Sequence, residues 1–204
     1  MSIKITTLVE NSVYGKGLQG EHGLSLLVDT GEHRLLFDTG ASDLFIRNAR
    51  ILGIDLKEVD FLVLSHGHRD HTGGLHHFLA VNDKAQVVCK RELFRPKFKD
   101  ERENGVMQPD ALDSTRFRFV DEVTELCRGV FVFPQLPVTD EEDTHFEHFF
   151  TWAEGRKQAD TFTDELALVL KQDAEVSVLS ACSHRGITNI IRAVQEYFPQ
   201  TSLK

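Results

Sequence analysis

The segment "LSHGHRDHTGGL", Leu64 to Leu75, puts His66, His68, Asp70 and His71 within six positions. Imidazole nitrogens and carboxylate oxygens are the donors a zinc-type cation takes. If the chain stays extended past Ser65, side chains two apart share a side, so His66 and His68 can meet one cation. Gly67 between them allows close backbone approach. Asp70 and His71, after the chain turns, can reach a second position beside the first. A cation held there would bring water to hydroxide near neutral pH and polarise an acyl or phosphoryl oxygen, which is the chemistry of hydrolysis and related group transfer. In this reading Asp70 is catalytic, holding metal and orienting the nucleophile.

The elements around the cluster must aim it. "DFLVLS", residues 60–65, is a continuous apolar run of the kind found in a strand buried on both faces, and the histidines begin at its C-terminal end. Upstream, Ile3 to Val9 alternates as a strand, "NSVYGKGLQGEHG" is a glycine-punctuated loop, and "LSLLVDTGEHRLLFDTG" reads as a hairpin. The loop falls near the metal edge, and His22 within it reads as a plain exposed histidine, with contact to a substrate as the other reading. "SDLFIRNARILG" is a short helix with Ser42 or Asp43 as N-cap and Gly53 as its stop. A short helix after Gly74 and a strand at "AQVVC" follow.

Residues 90–160 read as an insertion or lid with its own strands, "RFRFV" and "GVFVF", separated by "DEVTELCR". Its first part, "KRELFRPKFKDERENGVMQPD", is broken by Pro96, Gly105 and Pro109. That part reads as a solvated helix, or as a lid supplying Arg91, Arg95 or Lys97 to a substrate phosphate. Phe146, Phe149, Phe150 and Trp152 pack as core or stack on a ring such as a pterin. Beyond it, "DELALVLKQDAEVSVLSACSH" gives two apolar strands across a polar turn, ending near His184. Ile187, Ile190, Ile191, Val194 and Phe198 then follow the helical period until Pro199 stops them. Strand pairs interleaved with amphipathic helices predict an α/β layered fold.

"HGHRDH" after an apolar strand, itself after a hairpin ending in "LLFDTG", resembles the His-x-His-x-Asp-His signature of the metallo-β-lactamase fold. That resemblance implies an αββα sandwich holding one or two metals at the edge of two sheets. "EHGLSLLVDTG", "LLFDTGAS", "VLSHGHRDHTGGL", "DELALVL" and "ACSHRGITNII", in this order, are similar to the subfamily of dihydropterin ribofuranosyl-aminobenzene phosphate synthase. The resemblance implies His66, His68, Asp70, His71 and His184 as metal ligands, with Asp38 behind them orienting the metal loop. It implies zinc, with manganese or iron as alternatives, and a hydrolase, transferase or synthase acting on a small phosphorylated or pterin-like substrate. Cys182 reads as a small buried side chain, with a soft ligand as the other reading. Relatives carry a further strand and a ligand histidine beyond the helix after "SHRG". No histidine follows His184 here, so the expectation includes a fold lacking its last strand or helix, with a shortened or non-catalytic metal-binding protein as the alternative.

Composition narrows the partners. The 204 residues suit one domain, 1–204. With 23 Lys plus Arg against 32 Asp plus Glu the formal charge is −9, which disfavours nucleic acid and anionic membrane surfaces and favours a small-molecule partner. No run of 18 apolar residues and no signal-peptide pattern is present. Cys89, Cys127 and Cys182, odd in number and widely spaced, fit no disulfide framework, so the expected compartment is the reducing cytoplasm.

Overall fold

Alternation along the central strands decides how the layers stack. The computed structural model describes residues 3–108 and 112–204, so Pro109 lies outside the described residues. In chain order the first half contains β1 (Lys4–Val9), β2 (Ser25–Asp29), β3 (Arg34–Phe37), α1 (Leu44–Ile51), β4 (Phe61–Val63), α2 (Arg69–Thr72), α3 (Leu75–Val81), β5 (Gln86–Cys89), β6 (Lys97–Lys99) and β7 (Arg102–Glu103). There follow β8 (Phe117–Phe119), β9 (Thr124–Cys127), β10 (Val130–Phe133), β11 (Phe149–Ala153), β12 (Arg156–Ala159), β13 (Ala167–Gln172), β14 (Glu175–Leu179), α4 (Ile187–Tyr197) and β15 (Ser202–Leu203).

One sheet has the order β1-β2-β3-β4-β5-β8 and the second β15-β14-β13-β10-β9. Leu35, Phe37, Val63 and Val88 point from the first sheet to meet Val130, Val132, Leu168 and Leu170 from the second. Their chain neighbours point the other way. Leu36, Leu62 and Val87 pack under Phe45, Ala49 and Phe78 of α1 and α3, while Ala167 and Val169 pack under Ile190 and Val194 of α4. Each buried side chain of this size contributes about 1.5–3 kcal/mol, so these three interfaces outweigh the scattered surface ion pairs. The result is the αββα sandwich, a mixed α/β fold.

The region 90–160 differs from expectation in two respects. "RFRFV" and "GVFVF" belong to the main sheets: β8 runs parallel to β5 and β10 antiparallel to β13. Val130 and Val132 are fully buried between the sheets, which is where their alternation places them. The outlying strands are instead β6, β7, β11 and β12, a separate sheet of order β12-β11-β6-β7. Nor is the charged stretch a helix. Arg91–Phe94 forms a single 3₁₀ turn, and Arg95 is extended, as the residue before Pro96 prefers.

Candidate metal centre

The site sits where the first sheet's parallel strands end. β3 stops at Phe37, and Asp38 takes a left-handed backbone, φ 61°, which is uncommon for a non-glycine residue and is held here by tertiary contacts. Asp38 is fully buried. Its Oδ1 accepts the Ser65 amide at 2.7 Å, and its Oδ2 accepts the Ser65 hydroxyl at 2.7 Å and the His71 Nδ1–H at 2.8 Å. The Ser65 hydroxyl has one proton and gives it to Asp38, so its oxygen, 2.8 Å from His66 Nδ1, accepts from that ring. One carboxylate thereby orients two imidazoles through their Nδ1 atoms, leaving His66 Nε2 bare. Such partners of a ligating imidazole fix its tautomer and direction.

His66 and His68, on one side of the extended chain, have ring centroids 4.7 Å apart. Gly67 between them is pressed against other backbone: a Cβ there would stand 2.4 Å from the Leu93 carbonyl oxygen and 2.9 Å from Lys97 Cε. Its amide donates to Asp164 Oδ2 at 2.7 Å. Lys97 Nζ, 2% exposed at its side chain, lies 2.6 Å from Asp160 and 2.8 Å from Asp164. Burial pushes its ammonium pKa down, but the two carboxylates outweigh that and raise it above the ordinary lysine value, so the charged pair persists inside the protein.

His184 arrives from the second sheet. The neighbouring Ser183 is left-handed, φ 54°. Glu165 accepts the amides of His184 and Arg185, each at 2.8 Å, and the Leu166 amide donates to the Ser65 carbonyl at 2.8 Å. The start of β13 thus ties both halves of the site together. His184 Nδ1–H donates to the His145 carbonyl at 3.0 Å, leaving its Nε2 bare as well. Phe162 stacks flat on the ring, centroids 3.7 Å apart and planes 8° off parallel. The His184 centroid is 5.1 Å from that of His66 and 4.9 Å from that of His68.

The Nε2 atoms of His66, His68 and His184 are buried and, among the described residues, have no hydrogen-bond partner. One ring nitrogen from each of the three histidines lies within 4.8 Å of those of the other two. Leaving a buried polar atom unpaired costs about 1–3 kcal/mol, and three converging lone pairs are what a cation needs. The imidazole donor set therefore fits a metal ion. Burial keeps these rings neutral, pushing His66 well below its ordinary pKa, His68 down to about 2 and His184 down to about 4. His71 goes the other way: burial would lower it, but Asp38 raises it well above the ordinary value. Burial pushes Asp70 up, yet the His71 and His68 rings prevail and hold it at about 2.

A cavity of about 710 Å³ is lined by His68, Asp70, His184 and Phe149, with Arg69, Lys99 and Arg102 on its wall. His22 is also on the wall, its Nε2 3.4 Å from Asp70. Arg91 and Arg95 are not among the residues lining it. The Arg91 guanidinium sits 4.0 Å over the Phe119 ring, and Arg95 faces Glu92 and Thr163, because the turn at Arg91–Phe94 and the inward course of β6 spend that cationic stretch on packing. Lys97 is buried rather than offered to a ligand. Cys182 is exposed, not buried. His148 pairs with Asp100 and His76 with the Met107 carbonyl. Sequence reasoning missed Ser65, Phe162, Asp160, Asp164 and Glu165. The last two could have been found, since adjacent carboxylates opening a fully apolar strand need buried partners.

A four-layer sandwich with this histidine-rich edge defines a class, and residues 18–164 match the family described as the Metallo-beta-lactamase superfamily. The chain belongs to that superfamily. It is 29% identical over 212 residues, 94% of this chain and 71% of the relative, to 7,8-dihydropterin-6-methyl-4-(beta-D-ribofuranosyl)-aminobenzene-5'-phosphate synthase of Methanocaldococcus jannaschii. It is 28% identical over 192 residues, 92% of this chain and 72% of the relative, to MJ0448 of the same organism, an uncharacterised protein. Among solved structures, Tm1679, a metal-dependent hydrolase of the β-lactamase superfamily, has a TM-score of 0.81 at 33% identity, over 97% of this chain and 72% of that one. A quorum-quenching N-acyl homoserine lactone lactonase, TM-score 0.54 at 14% identity over 88% of this chain and 77% of that one, shares the fold alone. No helix among the described residues is long and apolar enough to cross a membrane.

Proposed function

We propose that the protein is a metal-dependent hydrolase, or a transferase or synthase using the same centre, acting on a small anionic molecule that carries a ring. The observation that carries this reading is the set of three buried, unpartnered Nε2 atoms of His66, His68 and His184, of which His68 and His184 belong to residues lining an open cavity. His66, His68 and His184 would hold one ion, and Asp70 with His71 a second; zinc suits imidazole and carboxylate donors, with manganese or iron as alternatives. A bound divalent ion supplies Lewis acidity and lowers the pKa of water.

The chain's own groups do the rest. Asp70, held at about 2, is ionised at neutral pH and is too weak a base to keep a proton, so its part is to hold metal and orient a nucleophile. Arg69, Lys99 and Arg102 give the cavity wall a cationic rim suited to phosphate or carboxylate, and Phe149 offers a ring face at its edge. The name of the 29%-identical relative, a synthase of a dihydropterin ribofuranosyl-aminobenzene 5'-phosphate, supports the same substrate class. The test is to load the purified chain with zinc, manganese or iron and assay bis-nitrophenyl phosphate. Turnover that disappears in both His66→Ala and His184→Ala supports the reading; tight metal binding with no turnover on any ester would favour a non-catalytic metal-binding protein.

A further inference from the structure

A second cavity, of about 640 Å³, begins one residue past His184: His184 lines the metal-edge cavity, whereas Arg185 lines this one with Lys90, Pro134, Leu136 and Tyr197. Lys90 follows β5, and its Nζ donates to the Pro134 carbonyl at 2.8 Å. Arg185 donates from Nε to the Leu136 carbonyl and from a terminal nitrogen to the Thr161 carbonyl, each at 2.6 Å. One short segment after β10 thus gathers both cations, and each keeps N–H groups to spare. Among the described residues no ion pair with a carboxylate holds either of them. The carboxylates of the neighbouring segment are occupied elsewhere, Asp164 by Lys97 and the Gly67 amide and Glu165 by the amides of His184 and Arg185. Glu196 is on the cavity wall but pairs with neither cation.

Two half-buried like charges gathered in this way repel one another. Burial pushes the Lys90 ammonium below the ordinary lysine value, Glu92 holds it partly up, and the Arg185 charge adds to the depression. An anion between the two cations relieves that repulsion. A phosphate monoester carries about two negative charges near neutral pH and accepts charge-assisted hydrogen bonds from both groups at once; a carboxylate brings less charge. Tyr197 packs on Phe133 with centroids 5.3 Å apart and planes at 79°, yet stays about half exposed, so its ring is available to a planar ligand. We propose that this cavity binds the phosphate of a small ring-bearing molecule, with Lys90 and Arg185 on the phosphate and Tyr197 against the ring. The site needs no metal and stands or falls independently of the metal-centre reading. The two cavities share no lining residue among those described, so the occupant is distinct from the molecule transformed at the metal edge.

Only Tyr14 and Tyr197 are tyrosines, and Tyr14 is fully exposed in the loop between β1 and β2. Fluorotyrosine labelling therefore gives one fluorine resonance in the cavity and one outside it, told apart by Tyr14→Phe. The probe is phenylphosphonate, which has no ester to hydrolyse. Added to the full chain as purified, it should shift the Tyr197 resonance saturably and leave that of Tyr14 in place, and inorganic phosphate should compete with it. Lys90→Gln, whose amide still reaches the Pro134 carbonyl, should weaken binding at least about tenfold, as loss of a charged hydrogen bond does. Glu196→Gln, a change at an exposed position of α4, should tighten it about twofold or more by removing a like charge from the wall. A Tyr197 resonance that stays in place at millimolar phenylphosphonate would overturn the proposal, as would a response equal in the natural chain and in Lys90→Gln. Should circular dichroism show that Lys90→Gln does not fold, Glu196→Gln decides alone: tighter binding supports the site, and unchanged affinity overturns it.

Discussion

Lys97 Nζ and Asp164 Oδ1 lie 2.8 Å apart in the interior although 67 residues separate them in sequence, and the same carboxylate takes the Gly67 amide through its other oxygen. A cation from the outlying sheet therefore sits directly beneath the loop that carries His66 and His68. Removing it by Lys97→Met leaves Asp160 and Asp164 buried without their counter-ion, which costs about 3–5 kcal/mol. Urea unfolding of the metal-free variant should show a midpoint lowered accordingly; an unchanged midpoint would mean that water reaches the two carboxylates.

Ser65 relays Asp38 to His66. Ser65→Ala strips the acceptor from the His66 Nδ1–H while leaving the Asp38–His71 contact in place. Metal affinity should fall about 10–100-fold with the fold retained, as read by competition with a chromogenic chelator. His71→Ala, by comparison, should affect only the second of two bound equivalents.

Gly67 has no room for a side chain. In Gly67→Ala the new methyl would have to displace the Leu93 carbonyl and Lys97, and overpacking of this kind costs about 1–3 kcal/mol. The expected signature is joint loss of stability and metal affinity, in contrast to Ser65→Ala, where affinity alone should suffer.

In the metal-free chain stability should fall as pH drops from about 6.5 toward about 4. Burial holds the His66, His68 and His184 rings neutral in the folded state, whereas the unfolded chain protonates them near the ordinary histidine value, so acid favours unfolding. Glu165 opposes this. Burial pushes it up to about 7, so between its ordinary value near 4.5 and about 7 it binds a proton in the folded state only; it is one carboxyl against three rings. His71, raised by Asp38, keeps its contribution throughout this window and loses it only above 6.5. Denaturant midpoints measured with chelator present, from pH 7 down to 4.5, should decrease; an increase on acidification would show that the rings carry charge inside the fold.

What the sequence made legible was local. The period-two spacing of His66 and His68 after an apolar run was enough to expect two rings on one side, and the alternation of Leu35, Leu36 and Phe37 already contained the layering. What it hid was long-range. Nothing near Lys97 announces that Asp160 and Asp164 will meet it, so an exposed lysine was the natural reading of a charged stretch. Likewise "RFRFV" and "GVFVF" have the pattern of strands, but pattern does not name a partner, and only the pairings of β8 with β5 and β10 with β13 return them to the main sheets. Phe162 has no sequence signal at all: its role comes from a left-handed backbone, φ 51°, that lays the ring against His184.

The outlying sheet is assembled from two chain segments, Lys97–Glu103 and Phe149–Ala159, with three strands of the main sandwich threaded between them. The cavity wall is consequently not a module. No single cut-and-paste of contiguous sequence can remove it or transplant it onto a relative, because excising 97–159 takes β8, β9 and β10 with it. Any exchange of substrate preference by engineering needs matched replacements in both segments, joined across the β6–β11 register that pairs Thr151 with Lys97.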